Sequence, residues 1–276
     1  MARRPANGAA EPPTRGSNKA ESRKRAITEL VLAAGSATAQ DLATQFGVSL
    51  VTIHRDLDEL ERRGIVRKFH GGVSAQPSGV FESQMPYRLA SMKAEKEAIA
   101  AVALRYVEPG MSILLDDSTS VLAMIGGLAE RAPLHVATTF VAGLRRLSEL
   151  ARDHDLTLIG LGGRYDVAHD SFVGVQTNQQ VAGIHVDAVF LSTSAVSTTD
   201  MFHQEEQVAS LKREMLGSAT KRYLLIDHTK LNRKALLKIA ALSDLDLIIT
   251  DDGADAAVLA AWSSAGIAYE IAPVRR

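Results

Sequence analysis

Two groups of residues in this 276-residue chain have the types and spacing to do chemistry. The first is Ser49, Leu50, Thr52, His54 and Arg55, close together in one short run. A guanidinium can donate two bonds to one guanine, and hydroxyl and imidazole groups reach base edges or phosphates. The second group follows short aliphatic runs: Asp116-Asp117-Ser118-Thr119-Ser120, Thr138-Thr139, Gly162-Gly163 and Asp227-His228-Thr229-Lys230, with Lys212 elsewhere. Hydroxyls and free N–H groups ahead of a helix favour a bound anion. Paired glycines let a ligand approach the backbone. A carboxylate and an ammonium within one turn complete a set suited to a small anion. Taken singly, each feature has an ordinary explanation: an N-cap, a turn, a solvated surface lysine.

The first group needs a helix to present it. Ser49 is suited to cap one. From there Ile53, Leu57 and Leu60 recur at i, i+4 and i+7 as an apolar stripe. The opposite face falls to Val51, Arg55, Asp58 and Arg62, flanked by Thr52 and His54. A preceding helix opens at Thr38, three residues ahead of Asp41, with Leu42, Ala43 and Phe46 inward and Gly47 at its end. Two short helices across a tight turn make a helix-turn-helix. After Gly64, the segment Ile65 to Gly72 alternates apolar residues with Arg67, Lys68 and His70, as a β-wing with its charged side towards phosphates would. Contact with double-stranded DNA through Thr38, Ser49, Leu50, Thr52, His54, Arg55, Arg67, Lys68 and His70 is the expectation. The alternative is a solvated helix made by Asp56, Asp58, Glu59 and Glu61, with Arg55 paired to an acid at i+3 or i+4.

Charge divides along the chain in the sense that DNA contact requires. Residues 1–72 hold 12 Lys/Arg and 8 Asp/Glu, net +4, and the remainder holds 19 and 24, net −5. There is no cysteine, which excludes disulfides and thiolate chemistry and suits a cytoplasmic protein. No apolar run reaches the roughly 18 to 20 residues of a membrane span, and no apolar segment follows the basic N-terminus as a secretory signal would require. The eight histidines show no metal-ligand spacing, although His203 stands near Glu205 and Glu206. No Walker loop occurs, and Gly160 to Tyr165 lacks the last glycine of a dinucleotide fingerprint. No cofactor is expected.

The spacing predicts a disordered tail over 1–21, a winged unit over 22–73 with its first helix at Ser22–Ala34, and a linker over 74–92. Within 93–276, Lys93–Tyr106 reads as helix. Met111–Leu115, Leu134–Ala137, Leu156–Leu161, Ala188–Leu191, Tyr223–Ile226, Leu245–Ile249 and Ala268–Ile271 read as strands. Helices are expected at Ser120–Glu130, Phe140–Leu150, Glu205–Thr220 and Ala254–Ala265. That rhythm means an α/β domain with a mostly parallel sheet covered on both faces. Ligands bind such sheets beyond the carboxyl ends of the strands, where the second polar group falls.

The run VSLVTIHRDLDELERRGIVRKFHGG resembles the N-terminal domain of the DeoR family of bacterial transcription regulators, whose pattern is VS-x-x-TIRRDL-x-x-LE-x-x-G-x-x-x-R-x-HGG. His54 stands where the family usually has Arg. This difference either alters the operator read or makes binding mildly pH-sensitive; a plain phosphate contact is the other reading. Residues 94–252 resemble the family's sensor domain, related to ribose-phosphate isomerases, with recurrent LD-x-GTT, TN, GG, late-helix Lys, D-x-(S/T)-K and ITD motifs. Leu115 to Ser120, Thr138-Thr139, Gly162-Gly163, Lys212, Asp227 to Lys230 and Ile249 to Asp251 occupy them. Ser118 replaces a Gly, Ser120 a Thr and Thr139 an Asn, and Phe81 to Arg88 is a loose version of the family's F-x-x-R.

The resemblance implies a regulator, expected to be a repressor of a carbohydrate or polyol operon, released by a phosphorylated sugar or polyol. That effector would be held by Asp116, Asp117, Ser118, Thr119, Ser120, Thr139, Gly162, Gly163, Lys212, Asp227 and Lys230. A homo-oligomer, dimer or tetramer, is expected because one short helix buries too little surface for tight binding. The alternative is a sugar-phosphate isomerase-like enzyme fused to a DNA-binding domain, with Asp116, Asp117, Asp227, Lys212 and Lys230 supplying base and cation.

Overall fold

Apolar spacing and caps build the N-terminal unit, residues 1–81 of the computed structural model. Residues 15–34, 36–62, 66–69, 71–75 and 85–275 are described. Helix α1 (Arg15–Ala34) is followed by strand β1 (Ser36–Thr38), helices α2 (Ala39–Phe46) and α3 (Leu50–Arg62), and strands β2 (Val66–Phe69) and β3 (Gly72–Ala75). Ile27 and Val31 of α1, Leu42 of α2, Ile53, Leu57 and Leu60 of α3 and Val73 of β3 are almost wholly buried together. Thr38 caps α2, accepting from Asp41 N–H at 3.1 Å. Gly47 ends that helix at φ 62°, a left-handed corner that suits glycine. The three strands pair antiparallel with β3 in the centre.

Two expectations need correction here. Residues 15–21 are helical rather than a disordered tail, so α1 begins at Arg15 and not Ser22. No proline follows Pro13 in this stretch to break the helix, and Glu21 pairs with Lys24 one turn on. The linker is also shorter than 74–92: Ser74 and Ala75 belong to β3, paired with Ser36 and Val66, and residues 85–90 form helix α4 (Met85–Ala90).

The second unit, residues 82–276, is built on seven parallel strands. In chain order they are β4 (Ser112–Leu115), β5 (Leu134–Thr138), β6 (Leu156–Gly160), β9 (Val186–Leu191), β12 (Ala219–Ile226), β14 (Leu247–Asp251) and β15 (Tyr269–Ala272). Each corresponds to an aliphatic run read from the sequence. Helix α5 (Lys93–Ala103) precedes the sheet, and helices α6 (Thr119–Leu122), α7 (Val141–Leu150), α8 (Val175–Ala182), α9 (Glu206–Gly217) and α10 (Ala256–Ser264) lie between strands. The order across the sheet is β15-β14-β12-β9-β4-β5-β6. Neighbouring residues turn to opposite faces. Leu114, Val189, Leu224 and Ile248 pack in one core with Leu211 and Trp262, while Ile113, Leu115, Phe190 and Leu225 pack in another with Ile99 and Leu147.

Five shorter strands have no counterpart in the sequence reading. The β7 (Arg164–Asp166) and β8 (Ser171–Val173) hairpin follows β6, and β10 (Ala195–Val196), β11 (Asp200–His203) and β13 (Leu237–Ala241) form a small antiparallel sheet. The helix expected at Ser120–Glu130 breaks after Leu122 and resumes as a 3-10 turn at Ile125–Arg131. The helix expected to reach Thr220 stops at Gly217, because Ala219 already pairs with Val186 in the sheet.

Candidate functional site

In the N-terminal unit, α3 turns its apolar stripe inward, and its acids are occupied elsewhere. Asp56 is buried and receives Arg23 Nε at 2.6 Å. Glu59 receives Lys24 Nζ at 2.7 Å. Asp58 pairs with Lys68 Nζ, and Glu61 accepts the Lys68 N–H at 2.9 Å. The Lys68 ammonium holds the Asp58 carboxyl below its ordinary range. The alternative in which these acids pair with Arg55 therefore fails: among the described residues none of them bonds to it, and Arg55 and His54 are exposed. Leu50 and Val51, 40% and 77% exposed, stand beside them.

Four of the expected contact residues are partly committed to the fold. Ser49 Oγ accepts from Thr52 N–H at 3.2 Å and lies 2.9 Å from Thr52 Oγ1. Thr38 donates its hydroxyl to Asp41 Oδ2 at 2.7 Å. Lys68 is neutralised by Asp58, while Arg67 is exposed on β2. His70 lies outside the described residues.

In the second unit the chain runs from β4 outwards through β5 and β6, then returns to β9 on the other side of β4. The β4/β9 boundary is thus the topological switch point, where crevices open beyond the strand ends. Asp116 follows β4 and Ser192 follows β9, and Ser192 N–H donates to Asp116 Oδ2 at 2.8 Å. A cleft opens there, lined by Arg88, Asp117, Ser118, Thr119, His169, Ser192, Thr193, Ser194, His203, Lys212 and Lys230.

Lys212 of α9 is the centre of its charge network. Its Nζ lies 2.6 Å from Asp116 Oδ2 and 3.3 Å from Asp117 Oδ1. Burial alone would depress the lysine, but Asp116 and Asp117 hold it above its ordinary value. Burial would likewise raise Asp117, yet Lys212 and Arg88 keep its carboxyl well below the usual range. Arg88 of α4 donates to the carbonyls of Asp117 and His169, each at 3.2 Å. Its backbone carbonyl accepts from Thr119 Oγ1 at 3.1 Å and from Lys96. His203 ends β11, and its Nδ1 accepts from Glu205 N–H at 3.1 Å, which leaves the proton on Nε2. Burial, then the Lys212 charge, pushes His203 down to about 3. Lys230 Nζ stands 3.9 Å from Asp227 Oδ2. Burial would raise Asp227, but Lys230 and the Thr229 hydroxyl hold it low.

The fold gathers Asp117, Ser118, Thr119, Lys212 and Lys230 from the sequence-derived set. Six others do not line the cleft. Asp116 and Asp227 are buried just behind it, each satisfied by the loop it supports. Ser120 is buried within α6. Thr139 Oγ1 is spent on Ser171 Oγ at 3.1 Å. The Gly162 carbonyl accepts from Thr177 Oγ1 at 3.0 Å, and a Cβ at Gly163 would lie 2.0 Å from that hydroxyl, so this pair packs against α8. The physical reason is strand order: β5 and β6 lead away from the switch point. Arg88, His169, Ser192, Thr193, Ser194 and His203 were not in the set. Ser192 to Ser194 follow the Ala188–Leu191 run directly, so the strand-end rule alone could have found them.

A helix-turn-helix family model described as DeoR-like matches residues 23–78, and a DeoR C-terminal sensor domain model matches residues 91–252. The transcriptional repressor AccR of Agrobacterium fabrum strain C58 is 29% identical over 86% of this chain and 91% of its own length. A glycerol-3-phosphate regulon repressor of Escherichia coli strain K12 is 26% identical over 84% of this chain and 91% of its length. Among solved structures, a D-ribose-5-phosphate isomerase with bound phospho-erythronic acid is 17% identical, with a TM-score of 0.36 over 49% of this chain and 52% of its own. Both family models describe parts of regulators, and the isomerase alternative gains no support from them.

Proposed function

This chain belongs to the DeoR family of DNA-binding transcription regulators, and from that premise we propose that it represses a carbohydrate or polyol operon and is released from its operator by a phosphorylated sugar or polyol. The observation that carries the DNA half is the state of α3: every acid on it is held by α1 or the wing, which leaves Arg55 and His54 exposed beside Leu50 and Val51. Ser49, Leu50, Thr52, His54 and Arg55 would enter a major groove, with Thr38, Arg67, Lys68 and His70 at the flanking backbone. Asp58 must release Lys68 for that lysine to meet a phosphate.

The effector half rests on Arg88, Lys212 and Lys230 converging with hydroxyls at the switch point of the sheet. The relative named for a glycerol-3-phosphate regulon supports the same ligand class. We place the protein in the cytoplasm as a homo-oligomer, dimer or tetramer, because two half-sites multiply the surface buried on DNA. No described helix is long and apolar enough to cross a membrane. Binding the effector more tightly in the DNA-incompetent arrangement would shift the population off the operator.

The test is gel retardation of fragments from the native locus by the full-length protein, with and without phosphorylated sugars and polyols. Retardation that a phosphorylated compound reverses is the expected result. Failure to retard any such fragment at low salt refutes the DNA half, and retardation indifferent to every phosphorylated compound refutes the effector half.

A further inference from the structure

Three buried polar atoms on the cleft residues make no hydrogen bond with the described residues: Arg88 Nε, Asp117 Oδ2 and Ser192 Oγ. Their chemistry differs in a useful way. Arg88 can only donate, an ionised Asp117 can only accept, and Ser192 can do either. Around the cleft, the three carboxylates Asp116, Asp117 and Asp227 are balanced only when Arg88 is counted with Lys212 and Lys230. Lys212 is matched by Asp116 and Asp117, and Lys230 faces Asp227. Among the described residues Arg88 bonds only to backbone carbonyls and the Met85 sulfur, so its charge acts on Asp117 through space while its Nε is left without an acceptor.

An anionic group finds an unspent donor in Arg88 Nε, but a bare anion would also meet the Asp117 oxygen, which carries the same sign. Asp117 is only 4% exposed, so water screens that repulsion poorly. A hydroxyl beside the anionic group removes the conflict, because it gives Asp117 Oδ2 the donor it lacks. We propose that Asp117 is a specificity-determining residue: it accepts a hydrogen bond from an effector hydroxyl, so the cleft takes hydroxylated phosphates in preference to plain phosphates of the same size. The inference rests on this cleft being the effector site. Position 117 is the unspecified one in the LD-x-GTT loop, so the motif itself assigns it no role.

The test uses the full-length protein and isothermal titration with matched probes. These are inorganic phosphate, propyl and hexyl phosphate, polyol phosphates of three to six carbons, and the corresponding neutral polyols. In the wild type, at least one polyol phosphate should bind at least about tenfold more tightly than the alkyl phosphate of equal carbon number, as a hydrogen bond to a charged group allows. Asp117→Asn should cut that ratio to about threefold or less. Equal binding of polyol and alkyl phosphates by the wild type overturns the proposal without any variant, as does an Asp117→Asn protein that keeps the full ratio. The two readings can fail separately. If neutral polyols bind, lose affinity in Asp117→Asn and are not improved by phosphate, the phosphorylated-effector reading falls while Asp117 keeps its role. If alkyl phosphates bind as well as polyol phosphates, the reverse holds.

Discussion

Lys212 Nζ lies 2.6 Å from Asp116 Oδ2, and neither side chain is more than 4% exposed. Asp117 adds a second buried carboxylate 3.3 Å away. The lysine is thus a structural counter-charge before it is a ligand donor. Lys212→Ala would leave two buried carboxylates without their cation, and we expect it to destabilise the second unit by about 3–5 kcal/mol. Chemical denaturation checks this, and an unchanged midpoint would refute it. The network should be insensitive to pH near neutrality. The lowered Asp117 pKa stabilises above the ordinary carboxylate range and is lost as pH falls through it, while the raised Lys212 pKa stabilises below the ordinary lysine range and is lost above it.

His203 should make the same unit sensitive to mild acid. Its imidazole is held at about 3, so between there and about 6.5 the unfolded chain binds a proton that the folded protein does not. Stability therefore falls as pH is lowered through that window. Between pH 7 and pH 5 the loss from this residue is about 2 kcal/mol. His203→Gln should show a correspondingly smaller drop between urea titrations at those two pH values, and an identical drop would count against the assignment.

Arg55 is exposed and bonded to none of the acids on its own helix. Arg55→Ala should weaken operator binding by about 1–3 kcal/mol while shifting folding stability by no more than about 0.5 kcal/mol. Fluorescence anisotropy on a retarded fragment, beside a thermal melt, separates the two. Unchanged operator affinity would sink the recognition-helix assignment.

Asp58 competes with DNA for Lys68. Asp58→Ala frees that ammonium and removes a negative charge from the exposed face of α3. Binding should tighten at low salt, and the slope of log affinity against log salt should steepen by about one counterion. If the slope is unchanged, Lys68 does not meet a phosphate.

Much of this protein was determined by the order of its residues alone, because the signals involved are local. A cap, an apolar stripe and a glycine corner act over a single turn of helix, so Ser49, Ile53, Leu57, Leu60 and Gly47 could be read without neighbours. The seven aliphatic runs became the seven parallel strands for the same reason: a strand buried on both faces must be continuously apolar. Short segments of mixed polarity, such as Arg164–Asp166 and Asp200–His203, carry no such pattern, and their pairing depends on partners elsewhere in the chain. What tertiary structure alone decided is which strand ends meet. The same runs are compatible with several strand orders, and the observed one sets β4 beside β9. That choice joins Asp116 to Lys212 across 96 positions and Arg88 to His169 across 81, while it carries Thr139 and Gly162-Gly163 away from the cleft. Contacts so distant depend on how both faces of the sheet are covered, and no local spacing encodes that.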